Sequence, residues 1–372
     1  MAVRVPAIVS GVLEKNPDYS TAVRDDLAHL RDDLAGGAAL PPLESTAAGA
    51  DEWHAALGER TGDGWLSTDW FFAETYAYRQ LAERSRFFET RRDPFLPTKR
   101  DEYASAAHAE ALDRALDLEG SPEERLHALF GLALFGNRID LSFAASLARG
   151  TATDTGDLLA DEREAAVLAC FRRTGPLHVI ADNAGTELTL DLALADFALA
   201  HFETPVVLHV KVHPTFVSDA TPDDVFSFLG LSGDRCFEPR STPAVAFVER
   251  LRTASQSGRL EVAPHPFWNG PSSLWELPGA LGQRLAEARL VVLKGDANYR
   301  RAVNDAVWPP ETPFRDALAY FPSPVLALRT LKSDPIVGLA PDLAGELDRR
   351  DPTWRVNGKR GVASLGGRNA PR

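Results

Sequence analysis

LHVIADNAGTELTLDLALADFALAHFETPVVLHVKV, residues 177–212, is a short apolar run, a helix-forming run and a second apolar run in succession. The outer segments, LHVIADN and TPVVLHVKV, are rich in β-branched and aliphatic residues and too short to be independent helices. Between them, ELTLDLALADFALAHFE carries leucine and alanine at three- and four-residue spacing, the period of an amphipathic helix. A strand, a helix and a strand in this order imply a right-handed crossover and parallel pairing.

The alternation continues downstream. GRLEVAPH, ARLVVLKGD and SPVLALRTL read as further strands, separated by helical stretches. The tail TWRVNGKRGVASLG reads as a β-hairpin around a turn at Asn357-Gly358. Upstream of about residue 165 the periodicity is helical instead, as in TAVRDDLAHLRDDLA, WFFAETYAYRQLAERSRFFE and SPEERLHALFGLALFG, the last opened by a capping Ser121 and Pro122. The expected architecture is α/β. A helical N-terminal domain over residues 1–165 leads into a Rossmann-like three-layer α/β/α domain over 166–372, which carries the C-terminal hairpin.

The 372 residues carry a formal net charge of -13, which argues against nonspecific nucleic-acid binding. No stretch approaches the roughly 20 apolar residues of a membrane span. The N-terminus is not read as a secretory signal, and Cys170 and Cys236 cannot form a disulfide framework, so the cytoplasm is the expected compartment. Of 40 Lys and Arg residues only six are lysine: Lys15, Lys99, Lys211, Lys294, Lys332 and Lys359. Four of them fall at strand ends or in the tail's turn.

In a parallel sheet, ligands bind where the carboxyl ends of the strands meet their loops. The first strand ends in Asp182-Asn183-Ala184-Gly185, the second in Lys211 with His213 nearby, and the third in His265. The fourth ends in Lys294-Gly295-Asp296-Ala297-Asn298 and the fifth in Arg329-Thr330-Leu331-Lys332-Ser333. Asp182, Asn183 and Asp296 offer hard oxygen ligands, suited to Mg or Mn rather than zinc. They are too few to fill an octahedron, so water and a substrate phosphate would complete it. Lys211, Lys294, Arg329 and Lys332 would share the remaining phosphate charge. Taken singly each residue has an ordinary reading. Asp182 is a turn former, Asp296 a helix cap, Glu187 and Asp191 solvated first-turn acids, the lysines solvated strand ends. Their convergence on one edge favours chemistry.

Familiar alternatives fail. Position 184 is Ala where a haloacid-dehalogenase phosphatase needs a second Asp, and no P-loop, GxSxG, HExxH or CxxC occurs. The string Gly62-Asp63-Gly64 follows no strand, which removes a dinucleotide fingerprint.

IADNAGTELTLDL, VVLKGDANYRR, ALRTLKSD and VNGKRGVA together resemble the damage-control phosphatase family of metal-dependent phosphohydrolases. The likeness is to its sugar-phosphate branch, also called acidic residue methyltransferase-like, marked by an Arg-Thr-x-Lys motif (here Arg329, Thr330 and Lys332). TDWFFAETYAYRQL, RRDPFLPTKRDEY, LFGNRIDLS and HVKVHPTFVSDATPDDV extend it over nearly the whole chain. The resemblance implies that Asp182, Asn183 and Asp296 hold the metal and that Arg329, Thr330, Leu331, Lys332 and Ser333 bind the phosphosugar. Lys359 matches a second substrate-binding lysine, and Glu187 a position linked with S-adenosylmethionine. Thr186 departs from the family's usual bulkier residue beside the ligands, which bears on pocket shape. Glu74, Tyr78, Arg79, Asn137, Arg138 and Asp140, polar groups on apolar helices, either recognise sugar hydroxyls or tie the helices to the sheet.

The expected function is a phosphatase of small phosphorylated metabolites, hexose phosphates such as fructose 1-phosphate and fructose 6-phosphate, using Mn, Mg, Co or Ni. Either Asp182 attacks phosphorus, giving an aspartyl-phosphate, or a water on the metal attacks with Asp182 holding it. Lys332 and backbone amides of the 329–333 loop would bind the other phosphate oxygens. The competing readings are an S-adenosylmethionine-dependent carboxyl methyltransferase and a non-catalytic sugar-phosphate-binding protein.

Overall fold

The computed structural model describes residues 1–136, 157–233 and 235–371. Its centre is a seven-stranded sheet of β1 (Leu158–Asp161), β2 (Leu177–Ile180), β3 (Val206–Val210), β4 (Leu260–Pro264), β5 (Leu290–Lys294), β6 (Val325–Thr330) and β7 (Gly361–Gly366). The spatial order is β1-β7-β6-β5-β2-β3-β4. All neighbours run parallel except β6 and β7, which are antiparallel. From β2 the chain moves outward to β3 and β4, then returns to the other side of β2 for β5 and β6. The sheet therefore reverses its direction of growth between β2 and β5, the place where such sheets open a crevice for ligands.

The strands are apolar on both faces because both are covered. Along β5, Leu290 and Val292 join one core while Val291 and Leu293 join the other. The first core holds helices α6 (Leu96–Tyr103), α7 (Ala106–Leu116), α8 (Pro122–Phe135), α9 (Arg163–Arg172), α10 (Thr186–His201), α11 (Pro222–Phe228) and α12 (Thr242–Gln256). The second holds α13 (Gly279–Ala286), α14 (Asp296–Ala302), α15 (Phe314–Ala317) and α16 (Leu343–Arg350). This is the expected three-layer α/β/α arrangement. A third cluster, from Val5 to Phe95, is built by α1 (Arg4–Lys15), α2 (Thr21–Gly36), α3 (Ala50–Gly58) and α4 (Trp70–Arg84), and the one-turn α5 (Phe87–Thr90) leads from it to α6. Ser121 and Glu124 close the capping box expected at the start of α8.

Two expectations need correction. The tail is one strand, not a hairpin. Residues 352–358 turn without pairing, and β7 takes its antiparallel partner from β6, residues 325–330. Helix α10 is not amphipathic: it is buried on nearly every side, wedged among α7, α8, α12 and the sheet. Its Asp191 is fully buried rather than solvated. Strand β1 begins before the change of pattern at residue 166. Among the described residues no helix is long and apolar enough to cross a membrane.

Candidate active site

Strand β2 releases the chain at Ile180, and the next residues are captured by the segment that follows β3. Ala184 N–H donates to Ser218 O at 2.6 Å, and Ala220 N–H to Asp182 O at 2.7 Å. Gly185, at φ +71, then turns the chain into α10. Asn183 is fixed from both ends of its amide. Its Nδ2 donates to Glu187 Oε1 at 2.7 Å and to Asp182 Oδ2 at 3.3 Å, while its Oδ1 accepts from Ser218 Oγ at 2.7 Å.

Beside β2, strand β5 is followed by Gly295, at φ +82 and ψ 174, a region that only glycine occupies without strain. A Cβ there would lie 2.0 Å from Asp182 Oδ2, so the absent side chain is what admits the Asp182 carboxylate. Asp296 follows and opens α14. Its Oδ1 accepts from Arg329 Nε at 2.7 Å and from the Lys332 amide at 3.1 Å. Residues 182, 296 and 332 thus share one neighbourhood at the ends of β2, β5 and β6.

The residue that sequence reasoning missed is Asp219. It lies nine positions beyond the end of β3, in a loop that no strand-end rule reaches. Its carboxylate is buried and pairs with Lys211 Nζ at 3.3 Å; neither oxygen receives any other hydrogen bond among the described residues. Just before it, Phe216 and Val217 hold φ of +46 and +74. Left-handed backbone at a β-branched residue is a genuine outlier, costing roughly 1–3 kcal/mol. The strain delivers Ser218 to Asn183 and Asp219 toward Asp182.

The cations divide by role. Lys211 is buried against Asp219, with Asn298 Oδ1 at 3.5 Å. Lys294 is buried behind the site, 2.9 Å from Asp191 Oδ1 and 3.7 Å from Glu187 Oε2, and it donates to Ala133 O at 2.7 Å. Arg329 is fully buried over the Tyr299 ring; besides Asp296 it holds the carbonyls of Ser333 and Pro335 and the Ser333 hydroxyl. Lys332 is exposed, and so is Lys359, whose loop is tied back by Gly358 N–H donating to Leu331 O at 2.9 Å. Two amides of the 329–333 loop are already committed, Leu331 to Arg360 O and Lys332 to Asp296. Thr330 is buried at the end of β6.

The helical candidates tie elements together. Glu74 pairs with Arg300 at 2.9 Å and Arg4 at 3.2 Å. Arg79 binds Glu83 and Ala48 O and stacks over Phe88. The Tyr78 ring packs against Phe216, centroids 5.0 Å apart. Asn137, Arg138 and Asp140 lie outside the described residues.

Burial and like charge weigh on the carboxylates of the site. Burial, then the neighbouring charges of Asp219 and Glu187, pushes the Asp182 carboxyl well above the usual range, against the opposing pull of Lys332 and Lys211. Burial raises Asp219 to about 6 and lowers Lys211, so it works against both charges of their pair. Burial also opposes charge on Asp296, yet Arg329 and the donors around it outweigh that and hold it below the usual range. No trio of His, Cys, Asp or Glu among the described residues forms a ready metal cage. The donor set is acids around an amide, all hard oxygen. Unsatisfied Asp219 oxygens beside a carboxylate disfavoured by like charge fit a divalent ion.

Residues 1–347 match the family model described as the damage-control phosphatase ARMT1-like domain. The chain is 29% identical over 381 residues to the Rattus norvegicus protein named damage-control phosphatase ARMT1, covering 92% of this chain and 86% of that relative. The Homo sapiens protein of the same name is 27% identical over 382 residues, with 92% and 86% covered. Among solved structures, the chain is similar to a DUF89 family protein from Pyrococcus horikoshii, with a TM-score of 0.49, 15% identity and 98% of each chain covered.

Proposed function

Because the chain belongs to the ARMT1-like damage-control phosphatase family, we propose that it is a divalent-metal-dependent phosphatase of small sugar phosphates, hexose phosphates such as fructose 1-phosphate or fructose 6-phosphate. The observation that supports this reading is the crowding of oxygen donors at one strand edge, where Asp182 and Asn183 lie with Asp219, and burial and like charge disfavour the Asp182 carboxylate. A Mn, Mg, Co or Ni ion held by Asp182, Asn183 and Asp296, with Asp219 as a further donor, would supply a Lewis acid and a template for the phosphoryl group.

The protein's own residues then have separable tasks. Asp182, seated on Gly295, attacks phosphorus or orients the attacking water. Asn183, locked between Glu187 and Ser218, presents its amide in one orientation. Lys332, exposed and close enough for its charge to stabilise ionised Asp182, binds phosphate oxygens, with Lys359 as a second cation on the adjoining loop. Arg329 acts one layer back by fixing Asp296 and folding the 333–335 turn. Glu187 and Lys294 brace Asn183 from below and are not free to meet a ligand.

A phosphate-release screen across phosphorylated metabolites, each with the four metals, tests this. The expected result is metal-dependent release from a hexose phosphate that Asp182→Asn abolishes. Methyl transfer from S-adenosylmethionine with no phosphate release under any metal would reverse the reading, and saturable hexose-phosphate binding without turnover would reduce the protein to a sensor.

A further inference from the structure

Besides the Asp296 segment after β5, two chain segments carry oxygen donors of the site, 182–186 after β2 and 215–219 after β3, and one short helix touches both. On α6, Lys99 and Glu102 are three residues apart and so project from the same face. Glu102 Oε1 accepts the Thr186 amide at 2.8 Å, satisfying one of the unpaired donors at the start of α10. Its carboxylate also lies on the bare Cα of Gly185: a Cβ there would stand 2.3 Å from Glu102 Cδ. Gly185 is held from behind as well. Thr189 Oγ1 donates to Gly185 O at 3.0 Å and accepts from His108 Nε2 at 2.8 Å.

Lys99 grips the other segment. Its fully buried ammonium donates to Asp219 O at 3.1 Å, Asp224 Oδ2 at 2.7 Å and Asp93 Oδ2 at 2.8 Å, which uses all three of its protons. Asp224 closes the capping box of α11, so Lys99 pins the far end of the strained turn at Phe216 and Val217. Strained backbone persists only where its surroundings over-determine it. Here the surroundings are Lys99 on one side and the Tyr78 ring on the other.

We propose that α6 is a positioning element of the catalytic centre, with Glu102 and Lys99 setting the 182–186 and 215–219 segments at the spacing a divalent cation requires. The proposal rests on the metal-dependent reading above and adds residues that touch no ligand themselves.

The test uses the full-length protein and manganese(II) alone, its binding followed by the loss of the free-ion paramagnetic resonance signal. Glu102→Ala should weaken manganese binding about 10- to 100-fold, the cost typical of an outer hydrogen-bond partner. Glu102→Gln, whose amide oxygen accepts the same bond, should keep wild-type affinity. Hydrogen exchange gives a readout independent of metal: amides of residues 183–190 should lose protection in Glu102→Ala and keep it in Glu102→Gln. Lys99→Met should weaken binding likewise and Lys99→Arg should restore part of it; where removal of the lysine prevents folding, the Glu102 pair decides. Wild-type affinity in a folded Glu102→Ala protein, with exchange unchanged, overturns the proposal even if its melting temperature drops. A wild-type protein that neither binds manganese nor releases phosphate overturns the functional reading instead, and the proposal with it.

Discussion

The Asp182 carboxylate rests on the bare Cα of Gly295, where a Cβ would meet Oδ2 at 2.0 Å and Cγ at 2.1 Å. The side chain that follows β2 thereby lies against the turn that follows β5, next to the start of α14. Gly295→Ala removes that seat and also strains a backbone at φ +82. The variant should lose at least about 100-fold in kcat/KM, because displacing a reacting group by an ångström costs about that much. The protein should still fold, less stable by roughly 1–3 kcal/mol. Steady-state kinetics with a thermal melt check this, and full activity in Gly295→Ala would remove Asp182 from the chemistry.

Arg329, fully buried, and Asp296, partly buried, form a charge-assisted pair at 2.7 Å. Breaking such a pair leaves an uncompensated charge, so Arg329→Ala should destabilise the fold by about 3–5 kcal/mol. Arg329→Lys keeps the charge but not the planar fork that also holds Ser333 and Pro335, and should recover only part of that loss. Urea unfolding of both variants measures it.

Lys332 gives the opposite signature. Its side chain is exposed, so Lys332→Ala should change stability by no more than about 0.5 kcal/mol while kcat/KM falls 10-fold or more. A variant that melts early, with activity lost only in proportion, would make Lys332 structural.

Away from the site, His178 and His209 on β2 and β3 are buried and joined ring to ring, Nδ1 to Nε2, at 2.8 Å. Burial lowers His178 from 6.5 to about 4 and His209 well below its ordinary value. At about pH 8 both rings are neutral whether or not the chain is folded. As pH falls below 6.5 the unfolded rings take up protons and the folded ones do not, so stability falls with falling pH, by at most about 1.4 kcal/mol per ring per unit. Asp191 and Asp219, raised to about 6, act with the opposite sign between roughly pH 4 and 6. The prediction is therefore a difference between proteins: relative to wild type, His178→Leu/His209→Leu should gain stability between about pH 6.5 and 5. Urea unfolding across that range reads it, and parallel curves for the two proteins would contradict it.

How much of this was legible in the sequence follows from which forces act locally. Strands β2 to β6 and the residues at their carboxyl ends are written in short apolar runs that stop at charged residues, so Asp182, Lys211, Asp296 and Lys332 could be placed on one edge. Strand β1 was hidden because Leu158–Asp161 is short, half-buried and followed at once by a helix. The tail looked like a hairpin because Asn357-Gly358 is a good turn, yet β6 supplies the partner for β7 and leaves residues 352–356 none. Helix α10 looked amphipathic because Glu187 and Asp191 mark one side of it, but Lys294 buries with them. Asp219 sits inside the quoted HVKVHPTFVSDATPDDV segment but ends no strand, so only tertiary contacts show its place in the site. Lys99 did carry one: a lysine in an arginine-rich chain, inside the RRDPFLPTKRDEY segment singled out for other reasons.

The most direct measurement is phosphate release from fructose 1-phosphate by chelator-stripped protein to which manganese is returned, run beside Asp182→Asn under the same conditions. Turnover that is absent after stripping, restored by manganese and missing from the folded variant is the predicted result. Equal turnover with and without metal, or an Asp182→Asn protein as active as wild type, would contradict it.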